Sequence, residues 1–422
     1  MIKQSQAEQL AAISNQIYRK QLTTSSGGNL SIRDECGGLW ITPKKIDKGC
    51  LLPEHMVHIA ADGSFNSVYS PTSEWPFHSA VMQTRPDICA LVHAHPISLV
   101  AFAITRTKLP LNQFPLLRCY VGKLGYIAYA TPGSKKLSKI VAQEFATGCD
   151  MVILENHGVI TSGTNLNEAY NRLRALEHLA EIYIAATRLG NLEYLTVRLM
   201  AQALSMQMPQ KFESVSCDIS SQYIKRQELL AYLQRAESRG LLGSPGGTIS
   251  SRCDNGFLIA SEGMDIDGMQ PNDLVYITSD GCQLNKIPHA TVELHKKIYE
   301  LHPNINAIAI VLPVNLMAFA ATNTAYEIHT NPESFIILKS ITNLSFDEGF
   351  DNTRIANAIS EDRPIALIKN SSAVVCGNSP FMVLDRLEVA ETVAATLIQA
   401  KVIGDITRLS QADLIEISKT YG

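Results

Sequence analysis

The 422-residue chain has no marked excess of either charge: 36 Lys and Arg stand against 40 Asp and Glu, a formal net charge of −4. Without a global basic field or a basic run, nothing recruits nucleic acid or an anionic membrane. The nine cysteines are odd in number, scattered from Cys36 to Cys376, and contain no CxxC. That argues against a disulfide framework and a thiolate zinc site and fits a reducing cytoplasm. The N-terminal Met-Ile-Lys-Gln-Ser-Gln lacks the apolar stretch of a signal peptide. Long unbroken apolar runs are missing too. Ile305 to Ala325 is uncharged for about 20 residues, but Asn306, Pro313 and Asn315 interrupt it, which argues against a membrane span. Charged residues are only 18% against 46% hydrophobic, so the chain can bury sizeable cores and is poor material for disorder. At roughly 150 residues per domain, its length predicts two or three domains.

What the chain does have is an internal repeat. Pro71–Thr105 aligns without gaps on Pro288–Thr322, with 11 identities in 35 positions. Further blocks keep the same order at nearly the same offset: Gly27-Gly28 with Gly246-Gly247, Asp47 with Asp265, Asp62-Gly63 with Asp280-Gly281, and Arg172-Leu173 with Arg386-Leu387. A period of about 200 residues is too long for a solenoid and means two tandem copies of one domain. The expected domains are 1–210 and 211–422, with the junction in the polar stretch Met206 to Ser221.

Within the first copy, helices and strands alternate. Leu10, Ile13 and Ile17 give Ala7–Leu22 helical spacing. Leu30–Ile32, Leu39–Ile41 and Val57–Ala60 read as strands around turns, and a helix is predicted over 73–84 with Ser73 as N-cap. A buried strand at 88–94, another at Met151–Leu154 and a long helix at Asn167–Leu189 complete an α/β layer pattern.

The sharpest chemical signal is His93-Ala94-His95. On a strand, residues i and i+2 share a face about 6–7 Å apart, so both imidazoles can converge on one divalent cation. A bare HxH also suits two satisfied structural histidines. His157, just after the apolar strand 151–154, and Glu74, at the start of the preceding helix, would complete a catalytic metal site. The repeat supplies a control, because Glu74, His93, His95 and His157 align with Thr291, Ile310, Leu312 and Ser371. Ligands of one metal become an unpaired polar cluster once the metal is lost and are replaced together. His78 is matched by His295 and reads as structural.

Ser26-Gly27-Gly28-Asn29-Leu30-Ser31, Ile41-Thr42-Pro43, Ser73-Glu74-Trp75, Phe77-His78, His93-Ala94-His95 and Asn156-His157-Gly158-Val159 together resemble the class II aldolase/adducin family, in its sugar-phosphate aldolase branch. The resemblance implies a three-layer α/β/α sandwich around a mainly antiparallel sheet. It makes His93, His95 and His157 zinc ligands and places Glu74 at the acid/base position, where the carboxylate also binds the resting metal. Glu rather than Asp at position 74 favours an aldolase over the family's epimerases. The implied substrate is a small phosphorylated sugar, with Gly28, Asn29, Lys44, Thr72 and Ser73 at the phosphate. Lys44-Lys45 departs from the family's Thr-Gly, and the tyrosine that family members lend across a subunit boundary falls near Phe114, with Tyr120 and Tyr126 nearby. Same-fold epimerases or dehydratases and adducin-like, non-catalytic interaction proteins are the alternatives. The resemblance also implies a homo-oligomer, here a homodimer whose four domains alternate in a pseudo-fourfold ring.

Overall fold

The computed structural model describes residues 4–206, 214–215, 220–243, 245–279, 281–283 and 286–421. Most of the expected junction, and Asp280 of the second Asp-Gly pair, lie outside them. The chain divides into two compact units, one built from residues up to Pro110 with Tyr120–Ala180, the other from Leu111–Cys119 with Glu181 onward.

The first unit is organised by a seven-stranded mixed sheet. In chain order its strands are β1 (Asn29–Arg33), β2 (Leu39–Ile41), β3 (Val57–Ile59), β4 (Ala90–Ala94), β5 (Leu124–Ile127), β6 (Met151–Leu154) and β7 (Gly158–Gly163). They lie side by side as β3-β2-β1-β4-β7-β6-β5, and only β5 and β6 run parallel. On one face, helices Trp75–Thr84 and Lys135–Ala146 bury Phe77, Val81, Leu137, Val141 and Phe145 against Leu91, Val152 and Ile160. The other face carries helix Gln6–Arg19, whose buried side is Leu10, Ile13 and Ile17 and whose start is fixed by a reciprocal Ser5–Glu8 capping box. The Glu177 carboxylate, on helix Leu166–Leu189, accepts from the Ser98 and Leu99 N–H groups at 2.8 and 2.9 Å, tying that helix to the start of helix Ile97–Thr105.

The second unit repeats this plan in a nine-stranded sheet. Its strands are β8 (Ser214–Val215), β9 (Thr248–Cys253), β10 (Gly256–Ile259), β11 (Val275–Ile277), β12 (Cys282–Gln283), β13 (Ala307–Val311), β14 (Ile341–Leu344), β15 (Ile365–Ile368) and β16 (Ala373–Gly377). The order β11-β10-β9-β13-β16-β15-β14 reproduces that of the first sheet, and β12 and β8 extend its edge. Side-chain details are copied as well. Glu391 accepts from the Asn315 and Leu316 N–H groups at 2.9 and 2.8 Å, as Glu177 does in the first unit. Arg252 donates to the His302 carbonyl at 3.0 Å, as Arg33 does to the aligned Arg85 carbonyl at 3.4 Å. The structure thus has the α/β/α layering and mainly antiparallel sheet that the sequence implied.

One local expectation is corrected. The helix after Pro71 begins at Trp75, its N-cap is Glu74 rather than Ser73, and no side chain caps it. The Glu74 carboxylate is drawn inward to the Asn29 amide instead of folding onto its own helix.

Candidate metal and catalytic site

Strand β4 lies between β1 and β7 in the middle of the first sheet, so its side chains are buried on both faces. Register places His93 beside Asn29 on β1 and Ile160 on β7. His93 is fully buried, and its Nδ1 donates to the Val159 carbonyl at 2.9 Å, which leaves the Nε2 lone pair facing the site. His95 Nε2 stands 3.1 Å from it. His157 follows a turn in which Asn156 takes a left-handed φ of 54°, and its ring centroid is 4.8 Å from that of His93 and 5.2 Å from that of His95. One nitrogen from each ring lies within 4.8 Å of the others. Glu74 approaches from the helix, with Oε2 3.4 Å from His93 Nε2 and Oε1 3.8 Å from His157 Nε2.

These residues fit a divalent cation. Zinc–nitrogen bonds of about 2.0–2.1 Å in a tetrahedron put ligand atoms roughly 3.3 Å apart, close to the 3.1 and 3.4 Å separations around His93 and shorter than the 3.8 Å from Glu74 to His157. Burial lowers the pKa of all three imidazoles, that of His157 to about 4 with help from His95, so their lone pairs are free at neutral pH. Burial raises the pKa of Glu74, while the Asn29 amide opposes it. Glu74 Oε1 and His157 Nδ1 are buried without a hydrogen bond, a cost that a bound cation drawing on the cluster offsets for the carboxylate.

Behind Glu74 runs a hydrogen-bond chain that the sequence did not reveal. Ser31 Oγ donates to His78 Nδ1 at 2.7 Å, His78 Nε2 donates to Asn29 Oδ1 at 2.5 Å, and Asn29 Nδ2 donates to Glu74 Oε2 at 2.8 Å. Burial lowers the pKa of His78 to about 3, so the ring is neutral with one donor and one acceptor. That polarity fixes which end of the Asn29 amide faces Glu74. The second unit keeps Ser250 at 2.7 Å from His295, but Thr248 replaces the asparagine and His295 Nε2 is left buried without a hydrogen bond. Half of the chain is therefore common to both copies, and the half that reaches the carboxylate belongs to the first copy alone.

The expected phosphate residues gather on adjoining segments. Gly28 has a φ of +70°, and a Cβ there would lie 2.7 Å from the His93 carbonyl, so the turn sits directly against the histidine strand. Pro43 pairs with Pro71, and the Lys44 N–H donates to the Ser70 carbonyl at 3.0 Å, which places Lys44 beside buried Thr72 and exposed Ser73. The Asn29 side chain is engaged with Glu74. Lys45 occupies the left-handed region at φ 60°, the conformation that suits a glycine at this position. Phe114 is fully buried, and the Tyr126 hydroxyl accepts from the Leu109 N–H at 2.9 Å. Among the described residues, no helix is long and apolar enough to cross a membrane.

The comparisons agree with this architecture. An L-fuculose phosphate aldolase of Escherichia coli (strain K12) is 31% identical over 178 residues, covering 42% of this chain and 82% of that protein. A 3-oxo-tetronate 4-phosphate decarboxylase of the same strain is 30% identical over 211 residues, covering 48% of this chain and 97% of the relative. A 5-methylthioribulose-1-phosphate/5-deoxyribulose-1-phosphate aldolase of Rhodospirillum rubrum is 33% identical over 196 residues, covering 45% of this chain and 85% of the relative. The profile of the Class II Aldolase and Adducin N-terminal domain matches residues 8–184 and again residues 227–398. The chain belongs to the class II aldolase and adducin family and carries the family's domain twice.

Proposed function

We propose that the first copy is a zinc-dependent aldolase that cleaves a small ketose 1-phosphate into dihydroxyacetone phosphate and an aldehyde. The observation that carries this reading is the convergence of His93, His95 and His157 on a carboxylate that Asn29 orients, next to a glycine turn. A divalent cation held by the three imidazoles supplies Lewis acidity for the negative charge that develops on the ketose oxygens. Glu74 moves the protons. It takes the hydroxyl proton from the carbon that becomes the aldehyde; the carbon–carbon bond breaks, and its electron pair moves toward the neighbouring carbonyl. Glu74 then returns a proton to the carbon that kept the pair. Burial keeps water from competing for that proton, and the raised pKa of Glu74 suits a group that must both accept and donate. Gly28, Lys44, Thr72 and Ser73 hold the phosphate in this reading, and Asn29 serves the carboxylate through its side chain. Two chains assemble as an alternating ring of four domains, with the boundary between copies near residue 210.

Decarboxylation is the second reading, favoured by the relative matched over 97% of its length. It uses the same electron flow, with carbon dioxide leaving instead of an aldehyde. The purified chain is assayed with ketose 1-phosphates for aldehyde release and with phosphorylated 3-oxo acids for carbon dioxide release, in parent and Glu74→Gln forms. Aldehyde release that Glu74→Gln abolishes supports the aldolase. Carbon dioxide release alone replaces it with the decarboxylase, and neither product from a metal-loaded protein leaves the epimerase, dehydratase and non-catalytic readings. Solution mass tests the ring, which a fully active monomer excludes.

A further inference from the structure

The second copy has lost its metal ligands but has not filled the space. A cavity of about 250 Å³ opens where the first copy holds its catalytic groups, lined by Thr291, Ile310 and Ser371, the counterparts of Glu74, His93 and His157. The described lining residues all belong to the second unit. One wall is polar. His289 Nδ1 accepts from the Thr291 N–H at 3.3 Å, so its proton is on Nε2, which closes no hydrogen bond of normal geometry although the Pro245 carbonyl is near. Burial keeps that imidazole neutral. Ser371 and Ser372 add hydroxyls, and Ser372 is 3% exposed. The lining also has an apolar part, which includes Ile310, Ile355 and the aromatic side chains Phe346 and Phe350.

The chemistry is the reverse of that in the first copy. Among the described residues, no lysine or arginine lines the cavity, and Glu293 does, so a phosphate group there meets a carboxylate and none of those cations. A divalent metal finds no histidine cluster, because the one such group among the described residues is in the first copy. Nor is the cavity merely a stripped active site. Gly158 in the first copy aligns with Ser372, and a Cβ at Gly158 would lie 2.5 Å from His95 Cδ2. The second copy therefore carries a side chain where the first copy tolerates none, and that side chain adds a hydroxyl.

We propose that this cavity is a binding site for a small uncharged polyhydroxy compound, an unphosphorylated sugar or polyol, with its hydroxyls on Ser371, Ser372 and His289 and its carbon face on Phe346 and Phe350. Neutral hydroxyls match neutral donors and acceptors without the desolvation cost of a charge, and aromatic faces accommodate the C–H side of such a molecule. The site needs no metal and does not depend on the activity of the first copy.

Saturation-transfer NMR on the full chain tests this with unphosphorylated pentoses, hexoses and short polyols, and with dihydroxyacetone phosphate as the charged probe. Neutral probes receive saturation from the parent and equally from His93→Ala, whose first-copy site is disabled. Ser371→Leu, which occupies the cavity, weakens their binding by about tenfold or more. Phe350→Ala is the second variant should Ser371→Leu fail to fold, and it too weakens them. No transfer to any neutral probe at millimolar concentration from folded parent overturns the proposal. So does transfer that Ser371→Leu and Phe350→Ala leave unchanged, or that His93→Ala abolishes, because the probes then bind elsewhere.

Discussion

Gly158→Ser gives the first copy the residue that the second copy has at the aligned position. Gly158 does not need a left-handed backbone, so the substitution acts through volume alone. Its new Cβ would stand 2.5 Å from the Ala94 carbonyl oxygen, 2.5 Å from His95 Cδ2 and 3.3 Å from His93 Cε1. Ordinary carbon contacts need about 3.5 Å, so roughly 1 Å must be found. The Ala94 carbonyl lies in the β4–β7 pairing opposite Val159 and has little freedom. The His95 ring is the movable party, and a displacement near 1 Å is about half of a zinc–nitrogen bond. Changes that only reorient a ligand cost about 10–100-fold in metal affinity, and this one displaces a ligand, so a loss of about 100-fold or more is expected, near 3 kcal/mol. Overpacking lowers fold stability by a further 1–3 kcal/mol or so. Competition with a fluorescent zinc chelator reads the affinity, and circular dichroism confirms the fold. A folded Gly158→Ser protein that holds one zinc per chain at parental affinity would refute both the steric argument and the assignment of His95 as a ligand.

Other predictions follow from the hydrogen-bond chain and the buried cations. His78→Phe frees the Asn29 amide to turn its oxygen toward Glu74, so kcat falls about 10–100-fold with KM little changed. His295→Phe in the second copy destabilises the fold but leaves kcat alone, and equal losses of activity from the two variants would show that His78 is only structural. His93→Ala removes a ligand that two imidazoles cannot replace, and elemental analysis after dialysis finds the protein metal-free; retained stoichiometric zinc removes the proposed centre. Lys48 is 3% exposed, its Nζ donates to the Pro43 carbonyl at 2.6 Å, and burial lowers its pKa from 10.5 to about 8. Between those values the unfolded chain binds more protons than the folded one, so stability rises with pH across that window and the penalty is fully present below about pH 8. Lys48→Ile, matching the aligned Ile266, raises stability at neutral pH by at most about 3 kcal/mol and flattens that rise; denaturant titrations that show the same slope in both proteins sink the argument.

The clustering of His93 and His95 was legible because strand pitch is local information: residues two apart keep one face where the strand ends, at Ala94, just before His95. The layer order was legible through the repeat and the family motifs. The partner of Asn29 was not, since it depends on the β1–β4 register bringing residue 29 beside residue 93 and on a helix delivering Glu74 from the far side. His78 hid its tie to the carboxylate for a related reason. Its conservation between the copies reflects the Ser31 and Ser250 contacts, while its link to the carboxylate runs through a residue that only one copy retains. Ser73 looked like the helix cap because a sequence shows a capping residue type but not the competing pull of a buried amide on Glu74.

Ser372 also sets a direction for change. With a side chain at that position, a histidine restored at Leu312 meets the same collision that Gly158 avoids, and one restored at Ile310 meets a milder form of it. A histidine at either position alone is therefore worse than standing still, because it adds an unpaired imidazole to a crowded wall and gains no ligand set. Only a path that first reopens position 372 to glycine leads back. The second copy sits behind a one-way ratchet, and its sequence can drift toward whatever else its cavity holds without passing again through the chemistry of its twin.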